Sequence, residues 1–240
     1  MELSIVFPVL NEEHKIAADI DAAFAFLEQN RINGEVLVVD DGSTDNTSGV
    51  VANIRATGNK PLFLLNYTPN RGKGYAVREG VKAARGEIIM FADSGNCIPF
   101  SYILPALKMI RERKTDIAHG SRLLRGSVIT VQRKWHRKAA SFAFRKFVKL
   151  YAGLPGHLTD SQCGLKLYRG TVAKELYSES RTDGFLFDIE VILRATGKGY
   201  VIKEFPVQWT PDPDTRLRML PLLLKVVPGL ERIKKMVRQP

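Results

Sequence analysis

The stretch Val36-Leu37-Val38-Val39-Asp40-Asp41-Gly42-Ser43-Thr44-Asp45 narrows the possible folds of this chain more than any other. An apolar, β-branched run stops at two adjacent carboxylates and a Gly-Ser turn. Buried parallel strands read as continuous apolar runs of this kind. Open sheets of parallel strands bind ligands outside the carboxyl ends of those strands. A carboxylate at that edge accepts hydrogen bonds from a base or a ribose, so a nucleotide pocket is the first expectation.

The pattern recurs along the chain. Strands are expected over residues 3–8, 36–40, 61–65, 87–91 and 116–121. Helices are expected between them, over 12–29, 47–57, 74–84 and 102–113. This βαβ alternation implies an α/β fold with a mainly parallel sheet and helices on both faces. The second half is less regular. It reads as a basic amphipathic helix over 132–151, a short strand over 164–168, a helix over 188–196 and a strand over 200–209. Pro211 and Pro213 then mark a turn. One domain over residues 1–210 and a basic amphipathic tail over 211–240 are expected.

Composition bounds the partners. The 240 residues are 45% hydrophobic and 25% charged, which suits one large globular domain. The net charge of +11 favours an anionic partner: a nucleic acid, a phosphorylated substrate or an acidic membrane surface. No nucleic-acid-binding motif accompanies that charge, so a nucleic acid is not expected. Two cysteines, Cys97 and Cys163, build neither a disulfide framework nor a zinc site, which points to a reducing compartment. No secretory signal is read at the amino terminus. No stretch reaches the roughly 18 apolar residues of a membrane span; the longest, over 219–227, is broken by Pro221 and Lys225.

Five loops fall where strands end or helices begin. They are Pro8-Val9-Leu10-Asn11-Glu12, the Asp40-Asp41 loop, Asn70-Arg71-Gly72-Lys73-Gly74, Phe91-Ala92-Asp93-Ser94-Gly95, and Leu158 to Gly164. In the third, glycines and a helix N-terminus suit a phosphate approached by backbone N–H groups. In the fourth, a carboxylate at a strand end suits a hard divalent cation on a pyrophosphate. Asp160, in the fifth, reads as a helix cap, a salt-bridge partner or an active-site group, and spacing does not decide among them.

With these loops in order, the chain resembles the family 2 glycosyltransferases, and within them the polyprenyl-phosphate sugar transferases. The resemblance runs from about residue 3 to residue 209. It rests on the first three loops together with Gly120-Ser121-Arg122, Asp160-Ser161-Gln162-Cys163-Gly164-Leu165-Lys166 and Phe187-Asp188-Ile189-Glu190. It implies an A-type glycosyltransferase fold, a nucleotide-sugar donor, and Mg²⁺ or Mn²⁺ on the donor pyrophosphate. Pro8, Leu10, Glu12, Val39 and Asp41 would line the base and ribose pocket, with Lys73 near the phosphates. Asp93 would be the metal ligand, and Arg122, with Arg133, would reach the acceptor phosphate. Asp160 would stand near the reacting centre.

One departure is plain. Asp93 takes the first position of the family's Asp-x-Asp motif and Gly95 the second, so the motif is Asp93-Ser94-Gly95. A weakened metal site is expected. Asn96, Cys97 or water would fill in, or lysines would neutralise the pyrophosphate instead. Leu10 also stands where mannose synthases commonly carry Tyr.

The resemblance favours inverting transfer of a hexose to a polyprenyl or dolichyl phosphate, with UDP-glucose ahead of GDP-mannose. The alternatives are a soluble or glycan acceptor and a catalytically weakened nucleotide-sugar-binding protein. A phosphate monoester is largely dianionic at neutral pH and needs no strong base. A sugar hydroxyl would need one, and Asp160 is the candidate. Residues 132–151 and 216–238 set Lys and Arg beside aromatic and aliphatic side chains. They read either as interfacial helices or as core-packing helices with solvated basic faces. Peripheral attachment to the cytoplasmic face of a membrane is expected. Glu190 reads as a structural partner for a basic residue, and Trp209 as core or rim.

Overall fold

The computed structural model describes residues 1–131, 135–211 and 219–238. The sheet is built on β1 (Leu3–Val9) and β2 (Gly34–Asp40). Both are apolar runs buried along almost their whole length, as strands covered on two faces must be. They pair in parallel, with Val9 opposite Asp40. β3 (Leu62–Asn66) and β4 (Ile88–Ala92) extend the parallel set on either side. Beyond β4 come β5 (Ile117–Ser121), β7 (Leu165–Arg169) and β8 (Ile202–Pro206), in the order β3-β2-β1-β4-β7-β5-β8. A second small sheet pairs β6 (Val128–Ile129) with β9 (Gln208–Trp209).

The reversal at β7 positions the site. β7 runs antiparallel to both β4 and β5, with Ala92 opposite Leu165 and His119 opposite Lys166. Its amino end therefore lies at the same edge as the carboxyl ends of β1, β2, β4 and β5. The loop that begins at Asp160 is thus delivered to the edge where Asp41, Asp93 and Arg122 already stand. Periodicity finds a strand but not its direction, so the reversal is absent from the sequence reading.

Strand alternation splits the core between two faces. Leu3, Ile5, Phe7 and Val9 pack beneath α1 (Ile16–Gln29), α2 (Thr47–Thr57), α4 (Leu104–Arg111) and the short 3₁₀ turn Phe100–Ile103. Val6, Leu37 and Val39 pack on the other face beneath α3 (Lys73–Ala83). That core continues through α5 (Trp135–Ala152), α6 (Gly170–Glu179) and α7 (Phe187–Gly197). The sequence reading missed α6.

Residues 211–240 contain α8 (Met219–Arg238), whose Val226, Leu230 and Ile233 are buried in this second core. α8 packs on α5 and α7. Among the described residues no helix is long and apolar enough to cross a membrane.

Candidate active site

β2 ends in two carboxylates with different duties. Asp40 accepts from the Ser43 N–H (2.8 Å) and the Ser48 hydroxyl (2.5 Å), which closes the turn. Asp41 is 4% exposed. Its Oδ1 accepts from the Tyr67 hydroxyl (2.9 Å) and the Arg71 N–H (2.8 Å). Its Oδ2 accepts from Asn70 Nδ2 (2.7 Å) and the Gly72 N–H (2.8 Å). Burial, and then the hydrogen bond to Asp41, raise the Tyr67 phenol above its ordinary range. Asp41 thus organises the 70–72 loop, and a base or ribose would have to share a saturated carboxylate.

The same contacts correct the phosphate-loop expectation. The N–H groups of Gly74 and Tyr75 both donate to the Asp183 carbonyl, at 2.7 and 3.2 Å. The Arg71 and Gly72 N–H groups are held by Asp41. Four backbone donors at this helix start are therefore committed within the chain. What the loop turns towards the edge is the Lys73 side chain.

The other donor-side candidates lie around this loop. Pro8 is half-buried and sits opposite Val39 in the β1–β2 register. Val39 is 0% exposed, packs in the core under α3 and is paired with Pro8 on one side and Leu65 on the other, which corrects its assignment: its side chain does not line the pocket. Leu10 and Glu12 are half-buried on the loop after β1. That loop is tied to the next one by Asn11 N–H to Ser43 Oγ and Glu12 N–H to Thr47 Oγ1, both 2.8 Å. The Glu12 carboxylate pairs with Lys15 at 3.4 Å. Arg133 lies outside the described residues.

Three ion pairs line the edge at β4, β5 and β7. Lys73 Nζ lies 2.5 Å from Asp93 Oδ1. Burial alone would lower the lysine's pKa, but Asp93 and then Asp188 outweigh it and raise it. Asp160 receives Arg122 in a two-pronged pair, Nε at 2.6 Å and Nη2 at 2.8 Å, with the Arg122 N–H at 3.2 Å. Burial pushes the Asp160 carboxyl up, yet the Arg122 hydrogen bonds and charge hold it below the usual range. Lys166 and Asp188 form the third pair at 2.8 Å, almost wholly out of solvent.

The sequence reading named Asp93, Arg122 and Asp160, and the fold gathers all three. It also quoted Lys166 and Asp188 without pairing them. Glu190 is structural: it accepts from the Arg181 and Thr182 N–H groups and pairs with Arg194. Trp209 stacks beneath the Arg122 guanidinium, 5.1 Å from its ring centre.

Close packing fixes Asp93. Its N–H donates to the Gly164 carbonyl at 2.8 Å. A β-carbon on Gly164 would fall 1.9 Å from Asp93 Oδ2. Gly164→Ala is therefore expected to displace Asp93, costing about 1–3 kcal/mol of stability and most of the transfer activity. Thermal melts and turnover on the same preparation check both.

Asp19 was not anticipated. It lies on α1, in register with the buried Ile16, Ile20, Ala23 and Leu27. A carboxylate on an apolar stripe was the available signal. Asp19 is 1% exposed and accepts from the Gly95 N–H (2.9 Å) and the Asn96 N–H (2.8 Å). Burial, which outweighs those two hydrogen bonds, raises its pKa to about 6. An acid raised in the folded state binds more protons there than when unfolded, so its stabilising contribution fades as pH climbs. Stability should fall by about 3 kcal/mol between pH ~4 and ~6 from this group. Asp19→Asn should flatten that limb in urea titrations across the range.

Asp93 is the one motif carboxylate, and it already carries an ammonium. Gly95 offers no side chain, and its backbone is at φ +91° with its N–H held by Asp19. Among the described residues no three His, Cys, Asp or Glu side chains converge as a cation site. Divalent cations want several oxygen ligands, with one or two free carboxylates beside the substrate phosphates. The expected Mg²⁺ or Mn²⁺ site at Asp93 therefore does not fit these residues.

Known proteins share this architecture. The whole chain superposes on glucosyl-3-phosphoglycerate synthase from Mycobacterium tuberculosis, solved with Mn²⁺, UDP and glucosyl-3-phosphoglycerate, with a TM-score of 0.68. The two are 20% identical, and the match covers 81% of that chain. S. aureus TarS matches 99% of this chain and 65% of its own at a TM-score of 0.63, with 18% identity. These likenesses establish the A-type glycosyltransferase fold. In sequence, the chain is 32% identical over 228 residues to dolichyl-phosphate beta-glucosyltransferase of Drosophila melanogaster, covering 90% of this chain and 69% of the relative. It is 32% identical over 227 residues to that of Saccharomyces cerevisiae, covering 86% and 66%. The chain thus spans about two thirds of the length of these relatives. The description "Glycosyl transferase family 2" matches residues 4–177. With the shared fold and this match over most of its length, the chain belongs to glycosyltransferase family 2.

Proposed function

We propose that the chain transfers glucose from UDP-glucose to dolichyl phosphate or a related polyprenyl phosphate, with inversion at the anomeric carbon. The relatives' names support the sugar and the acceptor. The observation that carries the acceptor class is the state of Asp160. A carboxylate held by Arg122 and kept below its usual pKa is a poor base. An acceptor that arrives already ionised needs none. An oxygen of the lipid phosphate attacks the anomeric carbon, the bond to the UDP oxygen breaks, and UDP leaves with that electron pair. The chain's contribution is then positioning and charge: Arg122 at the acceptor phosphate and Lys73 at the donor. Pro8, Leu10, Glu12 and Asp41 are proposed for the base and ribose, around the loop that Asp41 braces.

Radiolabelled UDP-glucose and GDP-mannose, incubated with the protein and a short polyprenyl phosphate, test this reading. Lipid-linked label from UDP-glucose is expected. Label only on a soluble acceptor, or from neither donor, would overturn it.

Peripheral contact with a membrane, on its cytoplasmic face, is part of the proposal. α5 exposes Phe142, Phe147 and Leu150 beside the exposed Lys146, a composition suited to a lipid interface. Each basic residue near an anionic surface adds about 1 kcal/mol. Sedimentation with vesicles containing anionic lipid should be salt-sensitive. Phe147→Asp with Leu150→Asp should weaken it at least roughly tenfold.

A further inference from the structure

We propose that Lys73, held by Asp93, is the cation this chain sets against the donor's diphosphate, so that nucleotide binding does not require a divalent metal ion. The inference deepens the transfer reading and rests on it. Three features converge. The backbone N–H groups of Arg71, Gly72, Gly74 and Tyr75 are held by Asp41 and the Asp183 carbonyl, so the cation this loop offers a phosphate is the Lys73 side chain. Its ammonium is fixed 2.5 Å from Asp93, on a side chain that is one-fifth exposed beside a carboxylate side chain that is 42% exposed. An ammonium has three donors. It can keep Asp93 and still give a hydrogen bond to a diphosphate oxygen, bridging carboxylate and phosphate as a metal ion would.

The third feature is the neighbouring loop. Where a second motif carboxylate would project, Gly95 has no side chain, and Asp19 draws the N–H groups of Gly95 and Asn96 towards α1. The buried carboxylate thus fastens the loop from below while the ligand side stays bare. Arg78 pairs with the Asp183 side chain and bonds the Ser180 carbonyl (3.2 Å), which braces the segment closing over the start of α3. Lys73 therefore projects from an anchored helix start and pays little entropy on meeting the donor.

Isothermal titration of UDP and GDP into the 240-residue chain tests this, with EDTA, Mg²⁺ or Mn²⁺ present, for wild type, Lys73→Met and Lys73→Arg. UDP affinity in EDTA is expected to lie within about threefold of that in Mn²⁺. Lys73→Met should weaken UDP binding in EDTA roughly 10- to 150-fold, the worth of a charged hydrogen bond, while Lys73→Arg should retain most of it. Melting curves without nucleotide establish that each variant is folded; if Lys73→Met is not, the EDTA-against-Mn²⁺ comparison in wild type and Lys73→Arg decides. UDP binding that appears only with Mn²⁺, or a folded Lys73→Met that binds in EDTA like wild type, would overturn this proposal alone. Failure of both nucleotides to bind under every condition would overturn it together with the transfer reading.

Discussion

Replacing Arg122 with alanine is expected to produce the largest combined loss in this protein. Asp160 is fully buried and its two oxygens face the guanidinium. Removing one partner of a buried pair leaves a stranded charge, which costs about 3–5 kcal/mol. For a chain of this size that lowers the melting temperature by roughly 6–20 °C. On the proposed role of Arg122 at the acceptor phosphate, activity should fall further than stability explains, by about 10²–10³ in kcat/KM, because a preorganised cation is removed.

The double variant Arg122→Ala/Asp160→Ala separates the two effects. It should recover much of the melting temperature and none of the activity. Recovery of activity would show that Arg122 serves only Asp160. Acid stability gives an independent check. The Asp160 pKa is lowered by folding, so its contribution is complete above pH ~4 and is lost as pH falls through the lower folded value. Wild type should show that loss, and the double variant should not.

Much of this arrangement was legible from residue patterns. Apolar runs ending in Asp40-Asp41 and Asp93 gave the parallel strands and the edge to watch, because burial on two faces leaves a strong compositional mark. Three kinds of fact left none. The direction of β7 depends on which neighbours it pairs with, and only that reversal brings Asp160 to Arg122. The commitment of the Gly74 and Tyr75 backbone donors depends on Asp183, more than a hundred residues away in sequence. The role of Asp19 depends on a loop 76 residues distant. Sequence motifs named the groups; tertiary pairing decided which were free to act. Asp41 illustrates the difference: its hydrogen bonds to Tyr67 and the 70–72 loop are tertiary contacts that the motif alone does not show.

Lys166 and Asp188 make the second large prediction, and here stability and function should part the other way. The pair is buried between Phe91, 5.3 Å from the ammonium, and the Cys163 carbonyl, which accepts from Lys166 Nζ at 2.7 Å. Burial raises the Asp188 carboxyl despite Lys166 and Lys73, and it pushes the Cys163 thiol up to about 12. The charged form of Asp188 therefore depends on its lysines. Lys166→Met should cost about 3–5 kcal/mol, because Asp188 must either stay charged unpaired or take up a proton. Lys166→Met/Asp188→Leu should be as stable as wild type or more so by about 1–4 kcal/mol, since apolar side chains avoid the desolvation of both ions. If the pair were only structural, that double variant would be fully active. Asp188 also acts on Lys73, raising its pKa after Asp93. Removing Asp188 should leave Lys73 with one carboxylate to satisfy and free it to favour the donor. We expect the repacked protein to bind UDP more tightly in EDTA and to release it more slowly, so that kcat falls while KM for the donor falls with it. Steady-state kinetics on the double variant, beside its melting curve, decide the matter: unchanged kcat and KM would confine this pair to the core.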